Sequence, residues 1–375
     1  MKINDFKLER YFAAHEFRAK YLLSASDCES LTINELLHMA DTECLELWHH
    51  LKVGYTETKG HPVLRNEVAG LYKNIKPEDV CILVPEEGIF IAFNVILDPG
   101  DNVIVTDPAY QSLYEIPQSI GCEVTKWPLL LENGKWVLDT TFLEKAIKKN
   151  TKLIVINFPH NPTGFIPEPD DFKKIVTIAN DNKICLFSDE MYRYLEFPGS
   201  FRYESVCDIF DNGITLSGLS KSFGLPGLRT GWLATRNKDL MRRVERFKDY
   251  TTICNSALSE IFSIIALRNK ERIINTNLKL IQENIEAAKP FFRRHGDLLT
   301  WIESKGSSVA FPELVPRITA DEFCKKLLEQ KSVLLLPGSI FNHPGNHFRI
   351  GLGRKQFKTI LEEFEYFINE YYYSI

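Results

Sequence analysis

The sequence contains no C-x-x-C pair: its eight cysteines stand far apart, at positions 28, 44, 81, 122, 185, 207, 254 and 324. Such spacing suits neither a zinc site nor a disulfide framework, and scattered thiols fit a reducing, cytoplasmic setting. No run of Lys and Arg occurs, and the formal net charge of −5 lacks the footprint of a nucleic-acid binder. No apolar run reaches membrane length; the longest, residues 88–97, is interrupted by Asn94. The opening MKINDFKLERYF alternates charges and has no apolar stretch of a secretory signal. Internal repeats and low-complexity linkers are missing too. These absences leave a soluble protein without metal, nucleic-acid or membrane partner.

What is present is a chain of 375 residues, 44% hydrophobic and 25% charged, too long for one ordinary core. From about residue 80 to 235, short apolar strands alternate with helical stretches, which predicts a mostly parallel sheet. A long helical pattern follows from Asn255 to about Arg294. Short strands at 333–336 and 348–351, with helices at 320–330 and 355–371, then read as a smaller α+β unit. The expected division is a large α/β domain over 45–282, and a small domain formed by 1–44 with 283–375. Thr32, with Glu35 three residues on, reads as a helix N-cap, and Pro62 as a first helical turn.

Polar chemistry sits at the strand ends. KLIVIN, residues 152–157, is almost wholly apolar, as a parallel strand buried on both faces would be. It runs into Phe158-Pro159-His160-Asn161-Pro162-Thr163-Gly164, a rigid turn at the edge where open α/β sheets bind ligands. ICLFSDEMY ends a second strand in Asp189, with Tyr192 three residues later; a buried aspartate needs a partner. SGLSKSFGLPGLRTGW, residues 217–232, sets Lys221 among small and hydroxyl residues, eight positions before Arg229. A Schiff-base lysine needs a site that tolerates its neutral amine. Ser220 can donate to a phosphate there, and Arg229 can grip one bidentately. Upstream, CILV leads through Pro85-Glu86-Glu87-Gly88 into a helix, an arrangement suited to anions. Taken singly, each motif reads as a solvated turn or a core residue. Their order along the chain is what weighs against that.

In this order the motifs resemble class I/II aminotransferases, enzymes of fold type I that use pyridoxal 5'-phosphate (PLP). The resemblance runs from about Tyr55 to Arg349. It implies the PLP-dependent transferase fold and the transfer of an amino group from an amino acid to a 2-keto acid. Lys221 would hold PLP as a Schiff base and act as general base. Asp189 would face the pyridinium nitrogen, and Tyr110 would stack on the ring. Asn161 and Tyr192 would reach the ring oxygen, and Ser217, Ser220 and Arg229 would complete the cofactor contacts. Tyr55 would reach the phosphate of a partner subunit, which implies a homodimer with shared sites. Arg349, in FRIG after P-G-S-x-F, would anchor the substrate α-carboxylate together with Asn161; Arg354 is the alternative anchor. One turn departs from the family pattern. Where relatives carry a hydroxyl, this chain has Val84, Pro85, Glu86, Glu87 and Gly88. Two carboxylates beside a phosphate are costly unless they point away, so only backbone contacts at Glu87 and Gly88 are expected.

The same site could lead to elimination or cyclisation. ERYF, VINFPHNPTG and SSVAFPEL also resemble capreomycidine synthase, a cyclising fold-type I relative, although a tyrosine stands at 192 here. A PLP-binding regulator would need a DNA-binding extension that the sequence does not display. No motif names the substrate. Asp27 and Glu29, in the segment expected to run over the substrate, would favour a cationic side chain, whereas Arg18 and Lys20 would favour an acidic one.

Overall fold

In the computed structural model, which describes residues 2–315 and 318–372, one eight-stranded sheet organises the large part of the chain. Its strands are β1 (Val80–Leu83), β2 (Asn102–Asp107), β3 (Glu123–Glu132), β4 (Lys135–Leu138), β5 (Thr151–Asn157), β6 (Cys185–Asp189), β7 (Gly213–Gly218) and β8 (Gly231–Ala234). The spatial order is β1-β8-β7-β6-β5-β2-β3-β4. The run from β7 through β6, β5 and β2 to β3 is parallel, and both edges are antiparallel. The centre follows from composition. Leu153, Ile154, Val155 and Ile156 in β5 have no exposed surface. Burying each such side chain contributes roughly 1.5–3 kcal/mol, an upper figure given residual burial in the unfolded chain. The β3–β4 hairpin was not expected. Its signal was Asn133-Gly134, whose φ values of +50 and +73 suit a two-residue turn.

Two helices matter for the site. Helix α1 (Lys7–His15) lies over the cavity mouth, and α2 (Pro85–Ile96) starts directly after β1. Gly88 lets α2 press on the sheet: a Cβ there would sit 2.8 Å from Leu216 and Leu83. The long helical pattern after Asn255 resolves into two helices, Ala257–Arg268 and Lys270–Arg294, parted at Asn269. The Asn269 side chain donates to the carbonyls of Met39 and Ile265, which tethers the break.

The smaller C-terminal part holds a three-stranded antiparallel sheet of Val309–Ala310, Phe348–Gly351 and Leu336–Pro337. The N-terminal segment joins it: Tyr21–Leu22 pairs in parallel with Val333–Leu334. The later part of residues 1–44 makes other contacts. Leu36 and Cys44 pack with Leu64, Val68 and Ile261, on the side of the large sheet. Thr32 caps its short helix with Glu35 as the reciprocal partner, and Pro62 opens Pro62–Ala69. Among the described residues no helix is long and apolar enough to cross a membrane, and no cluster of three metal-ligating side chains occurs.

Candidate active site

The C-terminal ends of β5, β6 and β7 open into one cavity of about 470 Å³. Asn161, Asp189, Tyr192, Tyr110, Ser220, Lys221, Arg229 and Arg349 all line it. Asn161, Asp189 and Lys221 come together because they lie at or just after the ends of neighbouring strands, and Arg349 reaches them from the short strand Phe348–Gly351. Asn157 braces the first of these: its side-chain amide donates to the Asp189 carbonyl (2.9 Å), and its oxygen accepts from the Asn161 N–H (2.8 Å). Gly164 closes the turn at φ +67, where a Cβ would meet Ser304 and the Gly306 carbonyl. His160 stays structural, with its ring between Thr163 Oγ1 and the Pro108 carbonyl, both at 2.8 Å. Burial pushes that imidazole down to about 4, so it is neutral at pH 7.

The cavity floor is charged but incompletely paired. Asp189 is buried and accepts only from the Met191 N–H at 3.1 Å; among the described residues it has no cationic partner. Burial raises its carboxyl to about 7. Lys221 donates to Ser26 Oγ at 2.8 Å, and burial lowers its pKa, favouring the neutral amine. Arg349 is 1% exposed. Its guanidinium donates to Asn161 Oδ1 (3.1 Å) and the Ser24 carbonyl (2.8 Å), while its Nε has no protein partner. Among the described residues the buried Tyr192 hydroxyl likewise has no hydrogen-bond partner. Such groups are costly to bury unless something completes them. Arg229, at φ +53, donates to the Pro226 carbonyl and meets no carboxylate among the described residues.

Two expected contacts, those of Gly88 and Ser217, fall elsewhere. The Gly88 N–H is consumed by the Val84 carbonyl inside α2, so it cannot serve a phosphate. The Glu87 carboxylate turns outward to the Val84 N–H and to Thr251 and Thr252, and Glu87 does not line the cavity. Ser217 points to the Glu190 carbonyl. Tyr55 is 90% exposed and does not line the cavity of its own protomer. The alternative anchor Arg354 is held by Asp27 at 2.8 Å. Asp27 does line the cavity, but Glu29 accepts from the Lys355 N–H outside it, and Arg18 and Lys20 are exposed on the surface.

Sequence reasoning missed Ser26, Glu9, Glu16 and the inward turn of Glu86. Only Glu86 had a signal, its place in the departing turn. Ser26 meets Lys221 across 195 residues of chain, which no local pattern encodes.

A mostly parallel sheet with a buried lysine, a strand-end aspartate and an arginine fork defines a PLP-dependent fold-type I site, and the unpaired groups fit that cofactor. The aminotransferase class I and II family matches residues 23–362, and the chain belongs to it. It is a PLP-dependent aminotransferase. Capreomycidine synthase of Streptomyces vinaceus is 28% identical over 93% of this chain and 88% of its own. Aspartate aminotransferase of Sulfurisphaera tokodaii is 30% identical over 77% and 74%. A PLP-dependent aminotransferase from Streptococcus suis superposes with TM-score 0.92 at 29% identity, covering 99% of both chains.

Proposed function

We propose that the cavity transfers the α-amino group of an amino acid to a 2-keto acid, with Lys221 as the residue that moves the proton. The carrying observation is the pairing, in one cavity, of a buried amine whose pKa is lowered with a buried aspartate that lacks a cation. PLP, when bound, supplies a carbon that joins the amine nitrogen and a pyridinium ring that receives the electron pair released at Cα. Asp189 would keep that ring protonated by charge. Tyr192 and Asn161 would hold its oxygen, Tyr110 would pack against the ring, and Ser220 with Arg229 would take its phosphate. Arg349 and Asn161 fix the substrate carboxylate, which orients the Cα–H towards Lys221. Neutral Lys221 would take the Cα proton as general base and hold it on its Nζ for return. Tyr55 and its exposed neighbour Val53 support a homodimer in which each protomer lends Tyr55 to the other's site. All eight cysteines are free, which supports a cytoplasmic location.

The test is a screen of half-reactions. The PLP-loaded protein is mixed with single amino acids, and the cofactor's visible band is followed. At least one amino acid should convert the band and release its keto acid, and Lys221→Ala should do neither. Protein that shows no visible band after addition of PLP would refute the reading. The likeness to capreomycidine synthase favours a second reading, elimination or cyclisation. It predicts a band that changes and then recovers without any keto acid being added as amino acceptor.

A further inference from the structure

Glu86 is the one carboxylate that α2 aims into the cofactor end of the cavity, and the reaction described above makes no use of it. It is the second residue of α2, in the turn where the backbone leaves N–H groups free. Its Oε1 accepts from Ser112 Oγ, and the Tyr110 hydroxyl is a second hydrogen-bond partner of the carboxylate. Charged groups face it from every side. Glu9 comes from α1, Tyr110 and Ser112 from the loop after β2, Arg229 from the lysine loop, and Asp189 and Lys221 from the floor. On its outer side lie Glu87 and Glu115, and the Glu115 carboxylate is engaged by Asn4. Burial and Glu9 raise the Glu86 carboxyl, while Ser112, Tyr110 and Arg229 oppose them.

A phosphate ester is close to a dianion at pH 7, with a second pKa of about 6. Seating it beside an ionised carboxylate puts like charges together in a poorly solvated corner, where one of them must be neutralised. Arg229 and the N-terminus of α2 offset part of that charge, but they also serve the phosphate itself. Resting on the cofactor assignment above, we propose that the Glu86 carboxyl and the PLP phosphate hold one proton between them. Cofactor capture is then accompanied by uptake of a proton from solvent. The oxygen that binds this proton takes the place of a hydroxyl donor, so the carboxylate in the turn becomes a phosphate ligand and PLP affinity becomes dependent on pH.

The measurement is binding of 4-deoxypyridoxine 5'-phosphate to the full-length protein stripped of cofactor. This analogue keeps the phosphate and ring but cannot bond covalently to Lys221. Titration calorimetry in buffers of different ionisation enthalpy counts the protons taken up, and the same titrations from pH 7 to 9 give Kd. For the wild type the uptake should exceed that of Glu86→Gln by about one proton per site at pH 8, because one protonation is linked to binding. Its Kd should weaken by up to about tenfold per pH unit relative to the variant. Glu86→Thr, which restores a hydroxyl, should behave like Glu86→Gln. Equal uptake in wild type and both variants would overturn the shared proton and leave the cofactor assignment standing. Failure of the wild type to bind either PLP or the analogue would overturn both.

Discussion

Asn161, Asp189 and Lys221 hang from the ends of three neighbouring strands, whereas Glu9, Glu16 and Ser26 reach the same cavity on a segment anchored far away. The floor is built by short loops, so the residue that does chemistry lies within four residues of a strand end. The cover is held by contacts such as Lys221–Ser26, 195 residues apart, and Arg349–Ser24, 325 apart. On the proposed function, floor residues would face parts common to every amino acid, its nitrogen, Cα and carboxylate, and cover residues would face what differs between amino acids. Floor substitutions should therefore slow all substrates alike, and cover substitutions should alter only their ranking.

The largest effect in the floor is expected at Asp189. Removing one member of a buried charge pair costs about 3–5 kcal/mol, or roughly 10²–10⁴-fold in rate. Asp189→Asn should slow the half-reactions of arginine, glutamate and alanine by that factor without reordering them. The cofactor-free protein gives an independent check. The Asp189 carboxyl is raised to about 7 by burial, above the 3.9 or so of an unfolded chain. The folded state thus keeps a proton that the unfolded state loses, and stability falls as pH rises between about 4 and 7. Thermal melts should show this slope in the wild type and a shallower one in Asp189→Asn. A substrate-dependent loss of rate would break the comparison at its centre.

Arg349 should come next. Hydrogen bonds to charged groups contribute about 1.5–3 kcal/mol, and a lysine cannot reproduce the guanidinium fork. Arg349→Lys is expected to raise KM about 10- to 100-fold for every amino acid, with kcat much less affected. Saturation curves decide it. An unchanged KM would move the carboxylate anchor elsewhere, and Arg354, already held by Asp27, would have to be released to serve.

The same contrast explains what the sequence disclosed. Apolar strands ending in Asn157, Asp189 and Gly218 were readable because burial on both faces forces continuous apolar runs. The lysine, aspartate and arginine followed from motifs attached to those ends. The turn at the start of α2 was readable as a departure, but not in its outcome. Which carboxylate turns inward depends on Thr251 and Thr252 drawing Glu87 outward, 164 and 165 residues away. The cover was legible only as a segment. Asp27 and Glu29 looked equivalent in sequence, yet Asp27 pairs with Arg354 and Glu29 caps the Lys355 N–H. Two-residue spacing on an irregular segment does not fix which side chains face inward, and long-range pairing with Val333–Leu334 does.

The smallest effect is expected in the cover, where the comparison is sharpest. Glu9, Glu16 and Asp27 line the same cavity as Lys221 and Arg349. The Glu16 carboxyl is raised by partial burial and by the negative charges of Asp27 and Glu9, which oppose its ionisation. A cationic side chain would relieve that opposition, and an anionic one would add to it. Both glutamates stay in contact with water, where single charge interactions contribute about 0.2–1 kcal/mol. Glu9→Gln/Glu16→Gln should therefore shift the arginine-to-glutamate ratio of half-reaction rates by about 2- to 20-fold towards glutamate, with alanine unchanged. Salt should shrink the wild-type preference in the same direction, since exposed charges are screened within about 10 Å at 0.1 M. If the ratio stays the same in the double variant, these carboxylates only face solvent and the cover does not select by charge. If alanine slows as much as arginine, α1 acts on the common part of the substrate, and the division between floor and cover fails.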